Sequence, residues 1–249
     1  MCVSDMDFSH ACDLPAETRR GLVAYPSAGV LLFGTEKLLA SVYVGDVCYS
    51  PKLVSLGGSL SLLYARAFGP ILAATQGRFT AVEPKNMQFR HDDSPIRCMT
   101  PRIEQGAYST VFTRVFRSAY TENSVTVCGK LTDFADAPLS GGTYEMTYTF
   151  ADDSLTFTLF SEHEASFILP VIASFDDAVS LAGPSAVIRR RGGTVTVNAD
   201  TPLHFLMPED DETSRGFNPC GGFLYTELCL PLTAGKTHTC TLSVREEKQ

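Results

Sequence analysis

The run Arg90-His91-Asp92-Asp93 sets a titratable imidazole beside two carboxylates and a guanidinium, with Arg97 and Arg102 close behind and Tyr108 beyond. Acid–base catalysis needs a group whose pKa lies near the working pH, and His91 supplies one. Adjacent residues on a strand point to opposite faces, so this adjacency is not a dyad in itself. The plain alternative is a charged loop whose arginines and aspartates pair with each other.

Other clusters carry less chemistry. Glu162-His163-Glu164 offers two or three ligands at a spacing that no common metal site uses, and it reads as a solvated connection. Glu209-Asp210-Asp211-Glu212 is rich in oxygen ligands but lacks the spaced pattern of a calcium loop, so it reads as an acidic surface run. Arg189-Arg190-Arg191 precedes Gly192-Gly193 and reads as a turn flank, with a site for a sulfate or carboxylate as the alternative. Nucleophile elbow, phosphate loop and dinucleotide fingerprint are all missing, and neither a metal nor a cofactor is expected.

Composition narrows the classes further. A net charge of −8 and a pI near 5.1 disfavour a nucleic-acid partner, because such a surface repels phosphates. No run approaches about 18 apolar residues, so no membrane-spanning helix is expected. The first residues carry Asp5 and Asp7 and lack a basic stretch followed by an apolar one, so no signal peptide is read. The expectation is therefore a cytoplasmic protein, unless the chain is a fragment of a secreted one. Eight cysteines at wide spacings form no CxxC pair, and most are expected to be reduced and buried.

The elements that must position these residues are strands. In 143–160, Tyr144, Met146, Tyr148 and Phe150 alternate with threonine and glutamate, and Leu155, Phe157 and Leu159 alternate with Thr156 and Thr158. Two such runs around Ala151-Asp152-Asp153-Ser154 spell an antiparallel hairpin with one buried face. Strand patterns also cover 30–33, 38–44, 53–64, 108–116, 124–131, 166–173, 186–190, 194–197, 203–207, 224–230 and 238–244. Residues 36–42 also suit a helical turn, and the type of 71–75 is ambiguous. A short helix is expected to start at Asp13-Leu14-Pro15. The proline-rich segment 83–104 reads as a long connection or as short edge strands. About thirteen strands with regular turn signals predict an all-β fold, a large antiparallel β-sandwich with at most one or two short helices. The domain expectation is an irregular segment over 1–29 and a single sandwich over 30–249.

The stretches SLSLLYARAFGPILAATQGRF (59–79), VEPKNMQ (82–88) and CMTPRIE (98–104) resemble the C-terminal β-supersandwich of heparinase II/III-like polysaccharide lyases of bacteria, a galactose-mutarotase-like sandwich. The resemblance spans roughly 30–245. In that family a helical toroid precedes the sandwich and supplies much of the sugar cleft; this chain has no series of paired amphipathic helices. The mutarotase catalytic histidine–glutamate pair has no counterpart either, since neither His91 nor His204 sits in a matching motif.

The resemblance implies an accessory, non-catalytic, carbohydrate-associated domain that works with a helical catalytic domain or partner protein and meets a polysaccharide or oligosaccharide. Its sugar contacts would come from Tyr108, Tyr120 and Tyr225, with Arg90, Asp92, Asp93 and Arg97 on the hydroxyls. The second reading is a stand-alone lyase or epimerase, with His91 or Tyr108 as base and Arg90 or Arg102 neutralising a uronate. The third is a protein-docking module with a broad apolar sheet face.

Overall fold

Alternating hydrophobicity dictates sheets in this chain, and the computed structural model is built from them. It describes residues 18–45, 58–75, 79–80, 96–206, 215–219 and 221–247. The first five strands, β1 (Gly21–Tyr25), β2 (Val30–Gly34), β3 (Leu38–Tyr43), β4 (Ser59–Ala65) and β5 (Gly69–Ala73), form an antiparallel meander in chain order. A two-stranded pair, β6 (Phe79–Thr80) and β7 (Ile96–Arg97), follows.

The remaining strands form one large antiparallel sheet. They are β8 (Arg102–Gln105), β9 (Tyr108–Ser109), β10 (Phe116–Tyr120), β11 (Ser124–Thr132), β12 (Pro138–Phe150), β13 (Ser154–Ser161) and β14 (Ala165–Ile172), then β15 (Ala178–Ala182), β16 (Ser185–Arg190), β17 (Gly193–Ala199), β18 (His204–Phe205), β19 (Gly216–Asn218), β20 (Phe223–Leu232) and β21 (Thr237–Glu246). The path across the sheet runs β15-β16-β17-β21-β13-β12-β11-β9-β8-β14-β20-β18, with β10 joined to β11 and β19 to β20.

The expected hairpin is β12–β13, with Phe150 opposite Leu155 and Tyr144 opposite Ser161. Its aromatic face is buried against the small sheet, so the fold is the large antiparallel β-sandwich that the alternation predicts. Phe33 of β2 stacks on Phe150 at 4.3 Å, and Phe157 meets both Tyr148 and Phe167. The Tyr148 hydroxyl donates to the Gly58 carbonyl at 2.9 Å, joining the two layers through a group that burial would otherwise penalise. Gly58 has φ +72°, and a β-carbon there would lie 2.3 Å from the Val127 side chain. Only glycine lets the chain enter β4 so close to β11.

Several local expectations are corrected. Gly21–Tyr25 is a strand within the segment expected to be irregular, whereas residues 38–43 extend as β3, as the strand pattern over 38–44 predicts. The strand expected over 108–116 is broken: β9 gives way to a 3-10 turn at Thr110–Phe112, and β10 starts only at Phe116. The Ser109 hydroxyl accepts from the Val111 backbone and caps that turn, a local alternative to the ladder. The edge strand β15 was not expected, although its flanks were. The helix start at 13–17, Cys2, Cys12, Cys48 and Cys220 and the acidic run at 209–212 lie outside the described residues. Cys98, Cys128, Cys229 and Cys240 are free thiols, all but Cys128 buried.

Candidate functional site

Of the residues expected to do chemistry, Arg90, His91, Asp92 and Asp93 lie outside the described residues, as does the side chain of Arg97. Arg102 is placed clearly. It opens β8, beside β14, with 3% of its side chain exposed. Its Nη1 donates to the carbonyls of Cys98 at 2.9 Å and Thr100 at 3.3 Å, its Nη2 to Glu227 Oε1 at 3.2 Å, and its Nε to Glu104. Glu227, on β20, is fully buried. Burial works against the Arg102 charge, but attraction from Cys98, Glu227 and Glu104 outweighs it and raises the pKa above its ordinary value. Burial also pushes the Cys98 thiol up, which keeps it neutral, so the two glutamates carry that attraction.

Every nitrogen of Arg102 is therefore engaged, and the expectation that it neutralises a substrate uronate is corrected: the guanidinium is an internal tie between β8 and β20. Tyr108 is half-buried against the main core, and no hydrogen bond joins it to Arg102 among the described residues. Tyr225, expected to stack on sugar, is fully buried against Met99 and Ile172. His163 sits with Nε2 2.9 Å from the Ser140 carbonyl, and Glu162 accepts from the Thr143 backbone, so that connection braces the β12–β13 hairpin. No metal-ligating group of three His, Cys, Asp or Glu occurs among the described residues. Within Arg189–191, Arg190 turns inward to the carbonyls of Pro70 and Ile172 and over the Phe68 ring, while its neighbours face solvent. A guanidinium so occupied is not a free anion site.

Groups available to a ligand gather at β10 instead. Among the described residues β10 pairs only with β11, so its outer edge is open, and Arg117 to Tyr120 are exposed. Depressions of about 690 and about 610 Å³ lie on its two sides and share Arg114, Val115 and Phe116. Arg114, Arg117 and Lys130 line the first. The β10–β11 register sets Arg117 across from Cys128, and the β11–β12 register sets Lys130 across from Thr143. Arg114 pairs with Asp136 at 3.0 Å.

The second depression is lined by Tyr25, Tyr43 and Tyr120. Tyr25 is 41% and Tyr120 48% exposed, and between them Val115 is 88% exposed. Arg19 Nη1 donates to the Tyr25 hydroxyl at 3.1 Å, adding a cation at the rim. The floor is narrow because Gly29, at φ +63°, brings its chain against Gly45; a β-carbon on Gly29 would lie 2.4 Å from the Gly45 Cα. Rings beside a groove bind pyranose faces, and fixed cations bind their acidic substituents.

Of the residues expected to meet sugar, Tyr120 lines this groove; its other lining residues were not foreseen. Arg114 and Arg117 stand three apart, but Lys130 and Tyr25 join them only through strand pairing and sheet packing. Tyr25 also lies in the segment that reads as irregular.

Known proteins share this architecture. The family of ulvan lyase C-terminal domains matches residues 23–245. A broad-specificity ulvan lyase of Formosa agariphila is 26% identical over 227 residues, covering 84% of this chain and 35% of that protein. The chain thus spans about a third of that relative's length. Among solved structures, a heparinase III gene product superposes with a TM-score of 0.55 at 9% identity, over 92% of this chain and 36% of that one. Heparan sulfate lyase HepC from Pedobacter heparinus gives a TM-score of 0.53 at 8% identity, over 93% and 37%. Identities this low show a common fold alone.

Proposed function

The chain belongs to the ulvan lyase C-terminal domain family, and on that footing we propose that it is the accessory, sugar-contacting module of a polysaccharide lyase, holding an acidic polysaccharide in the groove across β10. The observation that carries this reading is the pairing, on an acidic protein, of an arginine–lysine pocket with a tyrosine-lined one on two sides of an open edge strand. The described residues offer no comparable convergence of a base with a free cation, because Arg102 is committed to Glu227 and Glu104. Bond cleavage belongs, in this reading, to a helical catalytic domain or partner protein, and the sandwich supplies affinity.

The test is affinity electrophoresis and calorimetry of the purified chain with uronate-bearing and neutral polysaccharides. Binding to the uronate polymers should fall with added salt. Replacing Arg117 and Lys130 together by alanine should weaken it at least about tenfold, the effect of losing two exposed charge-assisted contacts. Ultraviolet absorbance should show no unsaturated product from the isolated chain; turnover would overturn the accessory role, and absence of all acidic-polymer binding would overturn the groove.

A further inference from the structure

A third cavity, of about 490 Å³, lies beside the Arg102 cluster and one turn away from the cationic pocket. Its wall includes Glu104, Asp133, Phe112, Phe134 and Ala135. The turn at 133–137 divides it from the groove: Asp133 and Phe134 face the cavity, while Asp136 lines the pocket of Arg114. The two sites therefore lie side by side, with opposite charge facing outward.

The carboxylates on this cavity are fixed in place. Glu104 is held by the Nε of buried Arg102, whose other nitrogens turn away to Glu227 and the carbonyls of Cys98 and Thr100. Asp133 Oδ1 accepts from the Ala135 and Ala137 backbones, both at 2.9 Å. The same turn presents the Phe134 ring, 51% exposed, edge-on to Phe112 at 5.8 Å. An aromatic wall with two preorganised carboxylates is suited to the apolar face and the hydroxyl donors of a sugar ring. Carboxylates facing a ligand repel a uronate or a sulfate. With only two of them, one tied to an arginine, the site also lacks the oxygen set of a divalent cation.

We propose that this cavity binds an uncharged sugar residue, with Phe134 against one face of the ring and the Glu104 and Asp133 carboxylates accepting its hydroxyls. The module then reads a mixed polysaccharide at two neighbouring places: acidic sugars at Arg117 and Lys130, neutral ones at Phe134.

The experiment is calorimetry with saturation-transfer NMR on the purified chain, using xylotetraose, cellotetraose and mannotetraose as neutral probes. At least one should bind, and its affinity should change little with salt. Phe134→Ala should weaken that binding about tenfold through loss of the ring contact, and Ala135→Trp, which fills the cavity from an exposed turn, should abolish it. Phe175→Ala, which removes an exposed ring elsewhere, should leave it unchanged. Thermal melts confirm that each variant is folded. No binding of any neutral probe, or equal binding by wild type and both cavity variants, overturns the proposal. Failure here with acidic-polymer binding intact removes the neutral site and leaves the groove standing; the reverse outcome removes the groove alone.

Discussion

Arg102 illustrates how a single residue's chemistry depends on partners remote in sequence. Its charge and its place after a polar segment were visible; Glu227, 125 positions on, was not. Removing one member of a buried ion pair leaves the other uncompensated, so Arg102→Met should destabilise the fold by about 3–5 kcal/mol. Adding Glu227→Leu should recover much of that loss, as urea unfolding of the single and double variants will show. Two tyrosines on the same buried face of β12 make a second comparison. Tyr148→Phe forfeits the bond to Gly58 and should cost about 1 kcal/mol, whereas Tyr144→Phe should cost less. The Tyr144 hydroxyl makes no well-formed bond of that kind among the described residues; its polar neighbour is Thr113, whose own hydroxyl donates to the Lys130 carbonyl at 2.7 Å. That Tyr148 both bonds to Gly58 and meets the Phe157 ring could not be read from a spacing the two tyrosines share in the alternation.

At the scale of elements, the β12–β13 hairpin was legible because one face is aromatic and the other threonine, a pattern that only a half-buried strand satisfies. The 108–116 segment misled because its β-branched and aromatic content is that of a strand, while the Ser109 cap offers the backbone a competing bond. The groove inherits its shape from that interruption, since the break sets Arg114 and Val115 ahead of β10. Close approach of the layers gives a further prediction. Gly58→Ala places a β-carbon against Val127 at a left-handed backbone position and should cost about 1–3 kcal/mol, measured by the same unfolding assay. A loss below a few tenths would show that the layers part easily there.

Over the whole molecule, burial of titratable groups sets the alkaline limit. Burial pushes Cys240 up to about 12 and raises the phenols of Tyr144 and Tyr148 above their ordinary value. The unfolded chain releases these protons first, so their contribution is complete below the ordinary thiol range, about 8.5, and is lost as pH climbs past it and then past the phenol range near 10. Melting temperature should therefore fall from about pH 8.5 upward, and Tyr148→Phe should flatten the upper part of that decline. The sandwich class was legible from alternation alone, whereas the order of strands was not, because pairing between distant segments leaves no local mark. β21 shows what that order entails. It lies between β13 and β17, and its Thr241 meets Thr156 across 85 positions of sequence. During synthesis the sheet stays in two parts, each with a raw edge, until β21 emerges to join them. Closing that seam pairs segments far apart in sequence, a slow step in folding, and both raw edges stay open to wrong partners until it is made.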